Sequence, residues 1–134
     1  MVIFMKFLIV LLILFPTGLT FADTGDVLAQ ISSDIHTLTV GEQIMITADV
    51  SNTQNTQQPF AYLTQVKNEH QVVISLSWLT GSLSPRQSLS PAQSWTPPES
   101  GLYTIEIFVW ESIDNPDALS PPLSMTITAV DPAT

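Results

Sequence analysis

Apolar and polar residues alternate along most of the chain after Asp23, a pattern typical of strands with one face in a core and the other in solvent. The clearest case is the segment 44–52. Its alternating apolar positions are Ile44, Ile46, Ala48 and Val50. No segment after residue 22 has the period of a helix, so the pattern predicts an all-β domain.

The segments 60–67 and 72–80 are predicted to form a hairpin through a turn at 68–71. The first strand places Phe60, Tyr62, Thr64 and Val66 on one face. The second places Val72, Ile74, Leu76 and Trp78 on one face, opposite Ser75 and Ser77. The polar segment 52–59 before the hairpin predicts a loop that contributes nothing to a core.

Three further regions complete the predicted strands. Segment 81–98 is rich in Ser and Pro, so only a short edge strand is expected there, at 87–95. A strong strand follows, with one stripe formed by Tyr103, Ile105, Ile107 and Val109. The last strand carries Leu123, Met125, Ile127 and Ala129 on one face, and a broken first strand covers DVLAQISS and HTLTV. About seven strands of this kind predict an antiparallel two-sheet β-sandwich over residues 23–134.

The first 22 residues have the three-part layout of a secretory signal. Lys6 precedes an apolar run at 7–15, and Pro16 and Gly18 follow it. Small residues flank Phe21, which predicts cleavage after Ala22 and a secreted or cell-surface protein. The alternative is an uncleaved membrane anchor, because the apolar stretch approaches the length of about 20 residues that a spanning helix needs.

Composition excludes several kinds of site. The chain has 134 residues and no Cys, which excludes disulfides, thiolate zinc sites and type-1 copper centres. Its 12 acidic residues against 3 basic ones make a nucleic-acid partner untenable.

The segment WTPPESGLYTI at 95–105 resembles the corner that opens the penultimate strand of immunoglobulin-like (Ig-like) and fibronectin type III-like modules. Trp95, Gly101 and Tyr103 carry this resemblance, which extends to adhesion-type domains of archaeal and bacterial surface proteins. It implies an Ig-like fold with a tyrosine corner, in which the Tyr103 hydroxyl bonds a backbone group a few residues upstream. The missing Cys pair excludes an antibody-type domain.

Catalysis is not indicated. The two histidines, His36 and His70, are expected in turns, and their spacing does not require them to share a copper or zinc ion. Many serines are present, but there is no Gly-x-Ser-x-Gly motif. The chain is therefore predicted to have no enzymatic activity, no catalytic residue and no required cofactor.

The acidic loop at 111–117 is a candidate calcium site, since Glu111, Asp114 and Asp117 with the amide of Asn115 supply several oxygen atoms. The competing interpretation is a solvated loop in which Asn115 and Pro116 begin a turn. The sequence favours the solvated loop, because the spacing is not that of an EF-hand.

Phe108 and Trp110 are predicted to project from the outer face of the penultimate strand, since Ile107 and Val109 point inward. We expect them beside Ala61, Leu63 and Gln65 on one side and beside Thr126 and Thr128 on the other. Three interpretations stay open: a contact surface, rings that merely stabilise the sheet, or a bulge that moves Trp110 into the core.

These observations predict an exported, non-enzymatic Ig-like binding or structural module of the cell envelope, contacting a protein or glycan partner. The alternative is a calcium- or copper-dependent envelope carrier or accessory subunit. A secreted hydrolase ranks below both.

Overall fold

A computed structural model describes residues 26–133, and the predicted signal segment at 1–22 lies outside these described residues. Within them the chain forms nine strands. In order they are β1 (Val27–Ile31), β2 (Thr37–Thr39), β3 (Ile44–Asn52), β4 (Gln58–Lys67), β5 (Val73–Leu83), β6 (Ser88–Leu89), β7 (Ala92–Trp95), β8 (Gly101–Trp110) and β9 (Leu123–Val130). No helix occurs between residues 26 and 133, which confirms the all-β prediction.

The strands form two sheets. One contains β1, β3, β6 and β7, with β3 pairing all three others, and the second has the order β2-β9-β8-β4-β5. Every pair is antiparallel except β2 with β9, which is parallel. The broken first strand is confirmed, because β1 belongs to one sheet and β2 to the other.

The core lies between the two sheets and includes most of the alternating apolar positions of β3, β4 and β8, whereas the stripe of Ile74, Leu76 and Trp78 in β5 is exposed. Its fully buried aliphatic members include Ile46, Val50, Ile105, Ile107 and Ile127. Burying each such side chain contributes about 1.5–3 kcal/mol. The predicted stripe of β8 is confirmed, since Tyr103, Ile105, Ile107 and Val109 are all buried.

Two local predictions need correction. The expected strand at 87–95 is split into β6 and β7 at the buried Pro91, whose carbonyl oxygen instead accepts the N–H of Ala48. The polar loop before β4 also reaches the interior. Asn52 is buried and donates to the carbonyl oxygens of Thr56 and Ser84, so hydrogen bonding allows a polar side chain at a core position.

The predicted β4–β5 hairpin is confirmed. Its turn is held by the Asn68 side chain, which accepts the N–H groups of His70 and Val72. Gln71 takes a positive φ of 66° there. The hairpin places β5 at the edge of the five-stranded sheet.

Candidate functional site

β4 is buried on both faces, which is unusual for a strand in a two-sheet sandwich. Phe60, Tyr62 and Val66 face the core, while Ala61 and Leu63 face away from it and are still only 0% and 7% exposed. The outer face of the five-stranded sheet must therefore carry side chains large enough to cover β4.

Aromatic rings from the neighbouring strands provide this cover. Leu63 lies opposite Trp78 of β5 and opposite Phe108 of β8, so these three side chains form one row across the sheet. In the next row, Ala61 lies between Thr80 and Trp110. The Phe108 and Trp110 rings are 6.0 Å apart between centroids, with an angle of 43° between their planes.

The edge strand β5 adds the most exposed part of this surface. Trp78 is 56% exposed and Leu76 is 51% exposed. Phe108 and Trp110 are partly buried. We call the set Leu63, Leu76, Trp78, Phe108 and Trp110 the outer aromatic face.

The structure shows which face of the sheet carries Phe108 and Trp110. Both are on the outer face, and the β4–β8 register runs without a shift to Trp110, so the bulge that would place Trp110 in the core is absent. On the β4 side, two of the three expected neighbours are right: Leu63 and Ala61 lie opposite the two rings, whereas Gln65 lies opposite Glu106.

On the β9 side the expected neighbours are wrong. Thr126 and Thr128 lie opposite Thr104 and Leu102, because β9 pairs only with the first part of β8. β9 begins only at Leu123, opposite Ile107, so the end of β8 is joined instead by the preceding loop at 111–122, through a bridge between Trp110 and Ala118.

A polar group limits the outer aromatic face toward the start of β8. The Gln65 amide donates to Glu106 at 2.7 Å, and the Lys67 ammonium lies 3.1 Å from the same carboxylate. The hydrogen bond from Gln65 is the main cause that holds the pKa of Glu106 below its ordinary value. Burial opposes it, and the hydrogen bond and charge of Lys67 lower the pKa further. The apolar surface therefore ends at a charged, hydrogen-bonded boundary.

The acidic loop is a hydrogen-bonded turn in this structure. Glu111 accepts a hydrogen bond from the Asn115 side-chain amide at 2.9 Å, and the Asn115 side-chain oxygen accepts the Asp117 N–H. Asp114 is exposed. In the described part of the chain no three His, Asp or Glu residues come together as a group that could hold a metal ion.

The two histidines are both exposed. His36 lies 3.0 Å from Asp34, just before β2, and His70 lies in the β4–β5 turn. His70 lines a cleft of about 180 Å³ together with Glu69, Ile74, Glu99 and Leu102. Residues 26–133 contain no helix long and apolar enough to cross a membrane.

The tyrosine corner has the expected geometry. The Tyr103 hydroxyl donates to the Glu99 carbonyl oxygen at 2.7 Å, and the Trp95 ring meets the Tyr103 ring edge-on at a centroid distance of 4.9 Å. Gly101 has a φ of 144°, and a Cβ there would lie 3.2 Å from a Glu69 carboxylate oxygen. Glycine is required by the backbone at this position.

Trp78 is the member of the outer aromatic face that sequence reasoning did not single out. The alternation correctly grouped it with Ile74 and Leu76, but it did not say which sheet face that group covers. Leu79 and Leu83 lie on the other face of β5 from Trp78, and both are apolar, so the sequence contained a second candidate for the core face. In the structure Leu83 is fully buried and Leu79 packs against the core.

No family model matches the chain, and none of the curated proteins matches it. Solved structures do match. The CARDB domain of a Pyrococcus furiosus protein, crystallised in complex with di-metal ions, has a TM-score of 0.58 at 18% identity, over 78% of this chain and 88% of that one. A solution structure of that domain gives 0.59 at 20% identity, covering 78% and 94%. These likenesses identify the fold as an Ig-like β-sandwich.

A β-glucosidase from Listeria innocua, in complex with glucose, also matches, with a TM-score of 0.59 at 12% identity over 77% of this chain. This chain spans only 16% of the length of that enzyme. A DNA glycosylase from Pseudomonas fluorescens matches over 30% of its length, with a TM-score of 0.57. The same sandwich therefore occurs as one part of larger proteins with different activities.

Proposed function

We propose that this protein is an exported, non-enzymatic Ig-like module that binds a protein or glycan of the cell envelope through its outer aromatic face. The secretory layout of residues 1–22 supports export. The fold supports a modular role, since related sandwiches range from a separately solved domain to a small part of an enzyme.

One observation carries the proposal: Leu63, Trp78 and Phe108 form a continuous row across three strands, with Leu76 and Trp110 beside it. Trp78 keeps more than half of its surface in water although it lies on a rigid sheet. Contiguous apolar surface of this kind marks contact sites on small domains, and Trp is enriched among the residues that dominate binding energy.

The chemistry of this face fits a flat, weakly charged ligand surface. No member of the outer aromatic face is charged, and the Glu106 carboxylate at its boundary is paired with the Lys67 ammonium. Aromatic rings on a sheet present apolar planes, which suit both the apolar centre of a protein interface and the face of a sugar ring.

Site-directed photo-crosslinking tests the proposal. A photoreactive phenylalanine analogue replaces Trp78 in the full chain, and a control chain carries it at Met45, which is 53% exposed on the opposite sheet. Irradiation in an envelope preparation of the source organism should give a discrete adduct from position 78 that is absent from position 45. Adding Trp110→Ala should weaken that adduct.

Equal labelling from positions 78 and 45, or no adduct heavier than the chain itself from position 78, would overturn the proposal. The mass of the adduct also separates a foreign partner from self-association, because an adduct of twice the chain mass contains a second copy.

A further inference from the structure

We propose that the free edge of β5 pairs with β5 of a second copy of this chain, joining two five-stranded sheets into one. This inference goes beyond the proposed function, since it uses the backbone edge of the sheet and leaves the outer aromatic face open.

The first argument is the contrast between β5 and the other sheet edges. In the described residues β5 pairs only with β4, and it is 11 residues long. The strands at the remaining edges, β1, β2, β6 and β7, have only two to five residues each. Short edge strands are a protection against edge pairing, and β5 lacks that protection.

The second argument is the composition of β5. Its sequence, VISLSWLTGSL, contains no charged residue and no proline, although these are the usual devices that block strand addition. Its exposed side chains include Val73, Ile74, Leu76 and Trp78. A register shift in the β4–β5 pairing leaves Ile74 without a partner, but from Ser75 to Leu83 the pairing is regular, and in an isolated monomer this part of the edge is a template for another strand.

The third argument identifies a second copy as the occupant. The chain carries a net charge of −9, so two copies repel each other over most of their surfaces. Because β5 has no charge of its own, it is the long edge at which two copies meet without placing carboxylates opposite one another.

The geometry of self-pairing is also complementary. Antiparallel pairing about a two-fold axis near Ser77 places Trp78 of each copy opposite Leu76 of the other, on the outer face of the joined sheet. The two outer aromatic faces then become one continuous surface. On the inner side, the Ser77 hydroxyl donates to Gln93 of β7 at 2.8 Å, which ties β5 to the opposite sheet.

Cysteine crosslinking tests this pairing cleanly, because the natural chain contains no cysteine. Single variants Ile74→Cys, Leu76→Cys, Trp78→Cys and Thr80→Cys are expressed as the full chain and treated in intact cells with a short bis-maleimide. This reagent spans the roughly 7–8 Å between diagonal neighbours across a strand pair, which a direct disulfide does not. Matched controls are Leu28→Cys on the edge strand β1, which is 61% exposed, and Thr126→Cys on the outer face of β9.

Because Leu76 and Trp78 lie at equal distances on either side of the axis, we expect crosslinked dimers from both Leu76→Cys and Trp78→Cys. Ile74→Cys and Thr80→Cys should give several-fold less, and residues 28 and 126 little product. Introducing Leu76→Lys into the best crosslinking variant at another position should reduce the dimer several-fold, because like charges then meet near the axis. Leu28→Lys, the control for the added charge, should not.

Equal crosslinking at residue 28 or 126 would overturn the pairing, and so would the absence of dimer at every β5 position. Retention of full crosslinking after Leu76→Lys would overturn it as well. None of these outcomes bears on a foreign ligand of the outer aromatic face, which the photo-crosslinking experiment measures separately.

Discussion

The Tyr103 hydroxyl donates to the Glu99 carbonyl oxygen, and this single bond fixes the corner from which β8 starts. Replacing Tyr103 with Phe removes the bond while keeping the ring that packs against Trp95. We expect the free energy of unfolding to fall by about 1 kcal/mol, the usual net value of such a hydrogen bond. Urea unfolding of the two proteins measures the difference, and an unchanged midpoint would show that the corner is held by packing alone.

Tyr62 provides the opposite case, because its hydroxyl is buried without a hydrogen-bond partner in the described part of the chain. Burial raises the pKa of Tyr62 above its ordinary value of 10.0, and the neighbouring Thr64 side chain opposes this rise to a smaller extent. The folded state therefore holds this proton more tightly than the unfolded state does. The free energy of unfolding is unaffected by this group below about pH 10, and it falls as the pH rises from there through the folded pKa.

We accordingly expect Tyr62→Phe to be neutral or to raise the free energy of unfolding by up to about 1 kcal/mol at pH 7, since an unsatisfied polar group is removed. Unfolding curves at pH 9 and pH 11 should show a smaller alkaline loss in the variant than in the parent. A large destabilisation at pH 7 would mean that the hydroxyl has a partner.

Glu106 should contribute most to the loss of stability at acid pH in this region. Its pKa lies below the ordinary value, so its stabilising contribution is present above about pH 4.5 and is lost as the pH falls through the folded pKa. Glu106→Gln should reduce the stability change between pH 6 and pH 3, with an effect of at most about 1 kcal/mol for a partly exposed pair. Parallel pH titrations of unfolding decide the point, and identical profiles would contradict the expectation.

Replacing Trp95 should destabilise the fold much more than replacing Trp78, because Trp95 lies in the core and Trp78 on the surface. Trp95 is 9% exposed and packs on Tyr103, so Trp95→Ala should cost about 3–5 kcal/mol. Trp78→Ala should cost about 1 kcal/mol or less, because most of that side chain is in water. Thermal unfolding compares the variants, and a Trp78→Ala loss equal to that of Trp95→Ala would make Trp78 a structural residue.

Calcium should leave the melting temperature unchanged. A ligand that binds only the folded state raises it, but Glu111 and Asn115 are already occupied with hydrogen bonds inside their own turn. Differential scanning fluorimetry with calcium and with magnesium as the ionic-strength control measures this. A rise specific to calcium would favour the metal-dependent alternative.

Alternation predicted the strands well because one face of each strand must be dry, as the buried positions of β3 and β8 illustrate. It could not predict which face of β5 is dry, since Leu76 and Leu79 are equally apolar. The face that β5 turns to the core depends on its register with β4, in which Trp78 lies opposite the outward-facing Leu63.

The β9-side neighbours of Phe108 and Trp110 were predicted wrongly for a related reason. Sequence gives the parity of a residue but not where its partner strand begins, and β9 begins at Leu123, too late to flank Trp110. The buried hydrogen bonds of Asn52 were not predicted, because a polar residue in a polar segment indicates a loop unless the carbonyl groups that it binds are known.

The split first strand has a mechanical consequence. β2 runs parallel to β9, and the Val40 N–H and the His36 carbonyl extend that ladder at its two ends. Tension applied between the N-terminal and C-terminal sides of the sandwich pulls these two strands in opposite directions along their length. Their hydrogen bonds are then loaded together in shear rather than one by one, so the module resists stretching as a unit.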